Sequence, residues 1–407
     1  MKTGIQENLF GIKKIDFTSQ VELTIQSMNA YGPKHDHWAF AWSMGKDSTA
    51  TLTLIISLIE SGQIQPPKKI TVFCADTRLE LLPLWHAAEG IIKKLKEKNI
   101  DVDIVRADID NRFLVYILGR GVPPPSNTFR WCTGKIKIDP MEKALERFQE
   151  RIGDQKVLMI TGVRQGESAI RDGRISMSCS KDGAECGQGW YQTGLSNSMC
   201  STLAPLLHWR VCSVWDWLKI FAPSKKYGEW PTAILADAYG GDDATEINAR
   251  TGCTGCPLVQ KETSLMYVIR TQGWEYLNPL MELKFIYREM RLPKHRLRKN
   301  GELKKDGTFG KNQQRMGPIK LESRLYFLDK ILDIQNRINQ HAVQIGRPTV
   351  DLLNDEEIAR IKELIVNKTW PNTWDGTEIS ADIVLEKKFK DGSIQKDLFL
   401  ALESLGE

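Results

Sequence analysis

His37-Trp38-Ala39-Phe40-Ala41-Trp42-Ser43-Met44-Gly45-Lys46-Asp47-Ser48-Thr49 is the stretch on which the fold turns. A short apolar run stops at Ser-Met-Gly, and the apolar run from Ser48 to Ser61 has the length and content of a buried helix. A strand that feeds a helix through a glycine-bearing turn exposes backbone N–H groups at the helix N-terminus, where they and the helix dipole bind phosphate oxygens. Ser43, Ser48 and Thr49 add hydroxyl donors, and Lys46 adds a cation. A Walker A loop needs G-x-x-x-x-G-K-[ST], and no segment of this chain has that spacing. A plain helix cap at Asp47 or Ser48 is the structural alternative.

Outward from this turn the alternation continues. Ile70 to Ala75 reads as a second strand, residues 80–98 as a helix, Ile104-Val105 as part of a third strand, residues 140–151 as an amphipathic helix and Val157 to Val163 as a fourth strand. Strands alternating with helices predict an α/β fold with a doubly wound, mostly parallel sheet. Such sheets bind ligands beyond the carboxyl ends of their strands. Asp76-Thr77 stands after the second strand, and Gly162-Val163-Arg164-Gln165-Gly166-Glu167 after the fourth, with Arg171 close behind. Arginines there suit bidentate phosphate clamping. A strand-end Asp that caps the next helix and solvated surface arginines are the plainer readings.

Residues 171–200 break into Gly, Ser, Asp and Cys and predict a long loop. Past the Gly/Cys knot at 250–257 the pattern turns helical, with an apolar stripe at Leu321, Leu325, Leu328, Ile331 and Leu332. The expected organisation is an N-terminal extension over 1–36, a nucleotide-binding α/β domain over 37–260 and a helical C-terminal domain over 261–407.

The composition is that of an ordinary globular protein: 41% hydrophobic and 26% charged in 407 residues. The net charge of +5 is unevenly placed. Residues 284–320 hold twelve Lys and Arg against Glu289, Glu302 and Asp306, which leaves a slightly acidic remainder. No signal peptide or membrane-spanning run is legible, so the expected location is the cytoplasm, without membrane contact. Eight cysteines in such a chain predict reduced thiols, some of them metal ligands, rather than a disulfide framework. Cys253-Thr254-Gly255-Cys256 is a C-x-x-C set among glycines, able to bring two thiolates to one metal centre. Cys132, between Arg130 and Lys135, is the first candidate for a third ligand. Cys200 is preferred over Cys186 for a fourth, at the entry to an ordered segment. Cys74 and Cys212 read as buried core thiols, and a thioredoxin-like redox pair is the alternative for Cys253/Cys256. Ligand type alone does not separate zinc from iron–sulfur.

The turn at 43–49 resembles the S-G-G-x-D-S pyrophosphate loop (PP-loop) of the ATP-pyrophosphatase superfamily, with Met44 in place of the first glycine. Residues 118–125 leading into Arg130-Trp131-Cys132-Thr133, then Gly162 to Glu167, Pro205 to Trp217 and Gly252 to Leu258 extend the likeness in order. Together they resemble the phosphoadenylyl-sulfate reductase-like family, and within it the DndC-type ATP pyrophosphatase of DNA phosphorothioation systems. The resemblance implies an adenine nucleotide α-hydrolase-like fold and ATP with Mg²⁺ held by Ser43 to Thr49, Asp76, Thr77, Gly162, Arg164 and Glu167. It also implies a [4Fe-4S] cluster on cysteines that include Cys132, Cys253 and Cys256. Where that family has a further cysteine ahead of the C-x-x-C, this chain has Thr245.

Implied partners are DNA, contacted through 284–320, a cysteine desulfurase as sulfur source and other phosphorothioation proteins. Lys46, Asp47, Arg164 and Arg171 are the expected catalytic residues, with Asp47 and Asp76 as magnesium holders. A sulfonucleotide reductase would need a late cysteine nucleophile, and no cysteine follows Cys256. A tRNA-thiolating enzyme and a nucleotide-sensing module with a structural zinc are the remaining readings.

Overall fold

The computed structural model describes residues 6–7, 13–14, 16–166, 190–192, 200–240, 251–299, 316–383, 387–388 and 394–395. Its centre is a six-stranded sheet. Helix α1 (Phe17–Tyr31) precedes β1 (His37–Trp42), which leads through the 43–45 turn into α2 (Lys46–Glu60). There follow β2 (Lys69–Ala75), α3 (Leu82–Glu97), β3 (Asp101–Val105), α4 (Asp139–Ile152) and β4 (Val157–Thr161). Then come β5 (Trp190–Gln192), β6 (Cys200–Ala204) and α5 (Val211–Asp216). The spatial order is β3-β2-β1-β4-β6-β5, all parallel except β5, which runs antiparallel to β6. The expected α/β, doubly wound and mostly parallel sheet is present. The strand order reverses between β1 and β4, and the crevice outside their carboxyl ends is where this topology binds ligands.

Alternation along β1 sorts its side chains between two cores. Trp38, Phe40 and Trp42 join the cluster formed with α2 and α3, while Ala39 joins Phe73, Phe148 and Val157 beneath α4. Helix α2 is buried along nearly its whole length. Thr49, Thr53 and Ser57 recur every fourth residue and so share one face. Each accepts a buried indole N–H: Trp42 to Thr49 at 2.9 Å, Trp217 to Thr53 at 2.9 Å and Trp230 to Ser57 at 3.2 Å. The hydroxyls of Thr53 and Ser57 donate in turn to carbonyls one turn back, both at 2.8 Å. A polar ladder thus fixes the helix whose first turn forms the loop.

The C-terminal part comprises α6 (Thr263–Arg270), α7 (Glu282–Glu289), β7 (Arg296–Arg298), β8 (Met316–Ile319), α8 (Leu321–Gln344), α9 (Asp355–Val366) and β9 (Ile379–Ser380). Helices dominate as expected, but β7, β8 and β9 form a small antiparallel sheet that the charge-rich sequence concealed. One buried cluster runs from Met28 to Ile365, across the boundary expected near 260. Ion pairs stitch the same seam. Arg78 meets Glu357 at 3.0 Å and Asp351 at 2.6 Å, and Arg360 meets Asp110 at 2.6 Å.

The segment expected to be a loop over 171–200 contains β5 and the first residue of β6, and its remaining residues lie outside those described. The extension over 1–36 contains α1, bonded to the sheet side by Trp209 Nε1 to Thr24 at 3.0 Å.

The isosteric Thr53→Val exchange leaves the buried Trp217 N–H without its acceptor, a cost of about 1–3 kcal/mol. Chemical denaturation should show a lower midpoint with an unchanged slope; an unchanged midpoint would mean that the ladder does not hold α2.

Candidate functional site

The loop is compact. Ser43 N–H donates to Ser48 Oγ at 3.2 Å, the two serine hydroxyls lie 3.0 Å apart, and Ser48 Oγ donates to the Gly45 carbonyl at 3.2 Å. Gly45 stands at the N-cap with no side-chain cap, so neither Asp47 nor Ser48 caps α2. Met44, where the resembling families carry glycine, has φ +61 and is buried. A left-handed methionine costs about 1–2 kcal/mol in backbone strain, which its packing offsets. Gly162 crosses directly over the loop: a Cβ there would sit 2.6 Å from the Ser48 backbone. Only glycine permits that approach.

A cavity of about 390 Å³ opens at this crossing, lined by Ser43, Gly45, Lys46, Asp47, Ser48, Gly162 and Arg164, with Tyr239 and Thr251. It sits at the carboxyl edge of β1 and β4, at the switch point. Arg164 Nε meets Asp47 Oδ1 at 2.5 Å and its Nη1 donates to the Trp209 carbonyl at 3.1 Å. Lys46 Nζ lies 3.2 Å from Asp47 Oδ2 and 5.1 Å from the Tyr239 ring centroid. The phenol oxygen of Tyr239 accepts the Lys46 amide at 3.1 Å. Among the described residues that line it, the pocket sets two buried cations, Lys46 and Arg164, around one carboxylate, Asp47, a polarity suited to an anion. Tyr239 and the Trp209 carbonyl had no signature in the sequence, because they arrive from segments nearly two hundred residues and more than one hundred residues away from the loop, respectively, along the 407-residue chain.

Asp76 does not line this cavity. Its carboxylate accepts from Arg106 Nε at 2.5 Å and from the Arg78 amide at 2.9 Å, and it faces a second pocket shared with Glu80 and Thr254. Thr77 donates to Glu80 Oε1 at 2.6 Å. The Asp76-Thr77 pair therefore builds the turn into α3, and both expected magnesium holders are already ion-paired. Glu167 and Arg171 lie outside the described residues, as do Cys179, Cys186 and Thr245.

The cysteines divide. The C-x-x-C turn is clipped to the loop after β2 by Thr254 N–H to the Leu79 carbonyl at 2.7 Å and Thr254 Oγ1 to the Glu80 carbonyl at 3.2 Å. Gly255 has φ +64, and a Cβ there would meet Leu283 at 2.9 Å, so the glycine is required twice over. Cys132, on the short turn Trp131–Thr133, is close enough for its thiol to feel Cys256, and Cys253 feels both. Burial pushes the Cys253 thiol up to about 11, against the opposing pull of Lys137, and raises Cys132 as well. Binding a metal there must therefore displace protons, and soft thiols with neighbouring cations suit a thiolate-bound metal or cluster. Among the described residues, no three or more His, Cys, Asp or Glu are grouped so that they could hold a metal ion, so Cys132, Cys253 and Cys256 are neighbours without forming a ready-made ligand set.

Cys200 corrects the expected ligand set. It opens β6 opposite Val157, at the amino edge of the sheet. The trio is tied to the loop beyond the carboxyl edge, about 15 Å away for a strand of five residues at ~3.3 Å each. Its thiol is half-buried, packed with Met159. Cys74 is buried as expected, whereas Cys212 is exposed.

Residues 37–220 match the family model of the phosphoadenosine phosphosulfate reductase domain. That span contains the loop, the switch point and Cys132, and ends before Cys253 and Cys256. An uncharacterized protein of Methanocaldococcus jannaschii is 26% identical over 178 residues, 44% of this chain; the chain spans 30% of that relative's length. Among solved structures, the phosphoadenylyl-sulfate reductase of Candida auris in a phosphate complex is 12% identical, covering 50% of this chain and 86% of that one at a TM-score of 0.30. The U34-tRNA thiolase NcsA of Methanococcus maripaludis with its [4Fe-4S] cluster is 14% identical, covering 70% and 83% at 0.32. An FMN adenylyltransferase of Candida glabrata in complex with FMN and an ATP analog is 17% identical, covering 50% and 56% at 0.31.

Serine exchanges at Cys132, Cys253 or Cys256 should each sharply reduce bound iron or zinc in anaerobically purified protein, while Cys200→Ser should leave it unchanged. Metal content that falls only with Cys200→Ser would reverse the assignment.

Proposed function

We propose that the chain is an ATP pyrophosphatase, forming AMP and pyrophosphate, that activates a DNA backbone phosphate for sulfur insertion in DNA phosphorothioate modification. The observation that carries this reading is the cationic cavity at the switch point, walled by the Ser43–Thr49 loop and Arg164 inside the matched domain. A nonbridging oxygen of the acceptor phosphate attacks the α-phosphorus of ATP, and the bond to the β-phosphate oxygen breaks to release pyrophosphate. The adenylylated phosphate is then electrophilic, and a sulfur nucleophile displaces AMP.

This chain's residues would contribute charge and position rather than covalent chemistry. Lys46 and Arg164 face the charge that develops on the leaving pyrophosphate. Ser43 and Ser48 supply hydroxyls, and the first-turn amides of α2 supply donors with no partner inside the helix. Asp47 holds both cations in place beforehand and must share them when the triphosphate enters; its carboxylate would also be available to hold Mg²⁺, which when bound would neutralise phosphate charge. Cys132, Cys253 and Cys256 would hold a [4Fe-4S] cluster, which when bound supplies a site for sulfur; zinc is the alternative occupant. A cysteine desulfurase would be the sulfur source, working with other phosphorothioation proteins. A tRNA acceptor is the second reading, since the cysteine trio and the loop would serve either nucleic acid.

The basic segment bears on the acceptor in a way the charge count did not foresee. Its described cations are largely engaged. Arg296 Nε donates to the Gly317 carbonyl at 2.5 Å, Arg298 to the Ala381 carbonyl, Lys299 to the Thr373 carbonyl at 2.5 Å and Lys284 to the Val259 carbonyl at 2.6 Å. Arg288 and Lys294 are exposed.

Lys46→Ala with Ser48→Ala should abolish pyrophosphate release from ATP; retained release would remove the loop from the chemistry. Arg288→Glu with Lys294→Glu should weaken DNA binding and lower the log–log salt slope by about 0.9 for each phosphate no longer neutralised. Reversal at Arg298, whose guanidinium bonds the Ala381 carbonyl, should instead lower the melting temperature, a split that titrations and thermal scans resolve.

A further inference from the structure

A groove of about 750 Å³ lies between residues 116–129 of the matched span and residues of the C-terminal part, and it shares no lining residue with the cavity at the loop. One wall is the 123–129 segment that leads into Cys132; the other is formed by β8 and residues 371–374. Three features define its chemistry. None of the described residues that line it is acidic, while Arg291 and Arg296 both do. Phe129 stands on the first wall with 47% of its surface exposed, and Trp374 stands on the second. Lys299 holds its ammonium 4.8 Å from the Trp374 ring centroid. The groove is also tied to the thiols: Arg291 bonds the carbonyls of Pro125 on its wall and of Pro257, the residue after Cys256, the latter at 3.5 Å.

We propose that this groove binds an unpaired nucleotide of the acceptor strand, its base against Phe129 and its phosphate facing Arg291, Arg296 and Lys299. Aromatic faces beside cations that are not neutralised are the chemistry by which single strands are held, each stacked base contributing about 1–3 kcal/mol. A guanidinium bonded to a backbone carbonyl keeps its charge, so Arg296 remains attractive to a phosphate although its donors are engaged. Base stacking rather than edge reading makes the site tolerant of sequence. Its position puts the bound strand next to Cys132 and Cys256, where sulfur delivery would take place.

This inference rests on the reading of the acceptor as nucleic acid, and its test keeps the two apart. Fluorescence anisotropy of labelled twelve-nucleotide single-stranded DNA, the matching RNA and the DNA duplex would be measured on the full chain, alongside binding of a non-hydrolysable ATP analogue. Phe129→Ala, and separately Thr128→Glu with Asn372→Glu at exposed groove positions, should each weaken single-strand binding about tenfold. ATP-analogue binding should not change, which also reports that the variants fold. The tighter of the DNA and RNA strands names the source of the nucleotide. Wild-type binding to single strands that all these variants retain would overturn the groove alone. An unmodified chain that binds the ATP analogue but no nucleic acid would overturn the acceptor reading with it.

Discussion

Everything at the cavity beside the 43–49 loop depends on how closely the end of β4 passes over the start of α2. The absent side chain of Gly162 lets the two backbones touch, and that contact carries Arg164 to Asp47 and, through Nη1, to the Trp209 carbonyl. An arginine only 4% exposed is tolerable because a carboxylate and a carbonyl take its donors. Since Asp47 also faces Lys46, one carboxylate holds two cations in place before any ligand arrives. The cavity is thereby organised with some loss of attraction, since an entering anion would compete with Asp47 for both cations.

Much of this is legible in the chain. The strand–turn–helix at 37–61 has a period and composition that admit few other structures, and the parallel order follows once further strands and helices alternate. The loop residues and Arg164 can be read because a strand's carboxyl end is a fixed address in such a sheet. Tyr239 cannot, since nothing local distinguishes a tyrosine whose partner is so remote in sequence. Cys200 is misplaced by sequence for a related reason. Cys200-Ser-Thr-Leu-Ala reads as the exit of a loop, yet its β-branched and apolar residues pair with β4 from the very first position, and a strand's first residue lies at the wrong end of the sheet. Cys212 shows the same limit on a helix, where apolar neighbours in sequence do not fix which face is covered.

The basic segment exposes a weakness of counting charge along a chain. Lysines and arginines are donors as well as charges, and here they bond largely to backbone carbonyls. Just past the segment, Arg324 is fully buried, bonds the carbonyls of Gly119, Ile319 and Thr369, and stacks on Trp370 at 4.3 Å. Burial lowers its pKa to about 9, and that of Arg296 to about 10, so both stay cationic at neutral pH. Besides the buried Leu297 and Ile319, guanidinium-to-carbonyl bonds from Arg296, Arg298 and Arg324 tie the three-stranded β7-β8-β9 sheet together. The same groups add to the potential of the groove beside them, so a structural duty and an electrostatic one coincide without conflict.

The two candidate sites are joined by a single short segment. Thr251 lines the cavity beside the 43–49 loop, Cys253 and Cys256 follow within the next turn, and Thr254 between them is bonded to the Leu79 and Glu80 carbonyls after β2. That loop is held from the other side by Arg78, itself in a left-handed conformation at φ +65 and bonded to the buried Glu357 of α9. Glu357 cannot move without releasing Arg112 and the Asn354 cap as well. The short segment from Thr251 to Cys256 is therefore held along its length, its middle by Gly255 pressed against Leu283 and its neighbouring loop by the Arg78–Glu357 pair. Stiffness of this kind fits the proposed reaction, in which activation at one site would be followed by transfer at the next, before water reaches the activated phosphate.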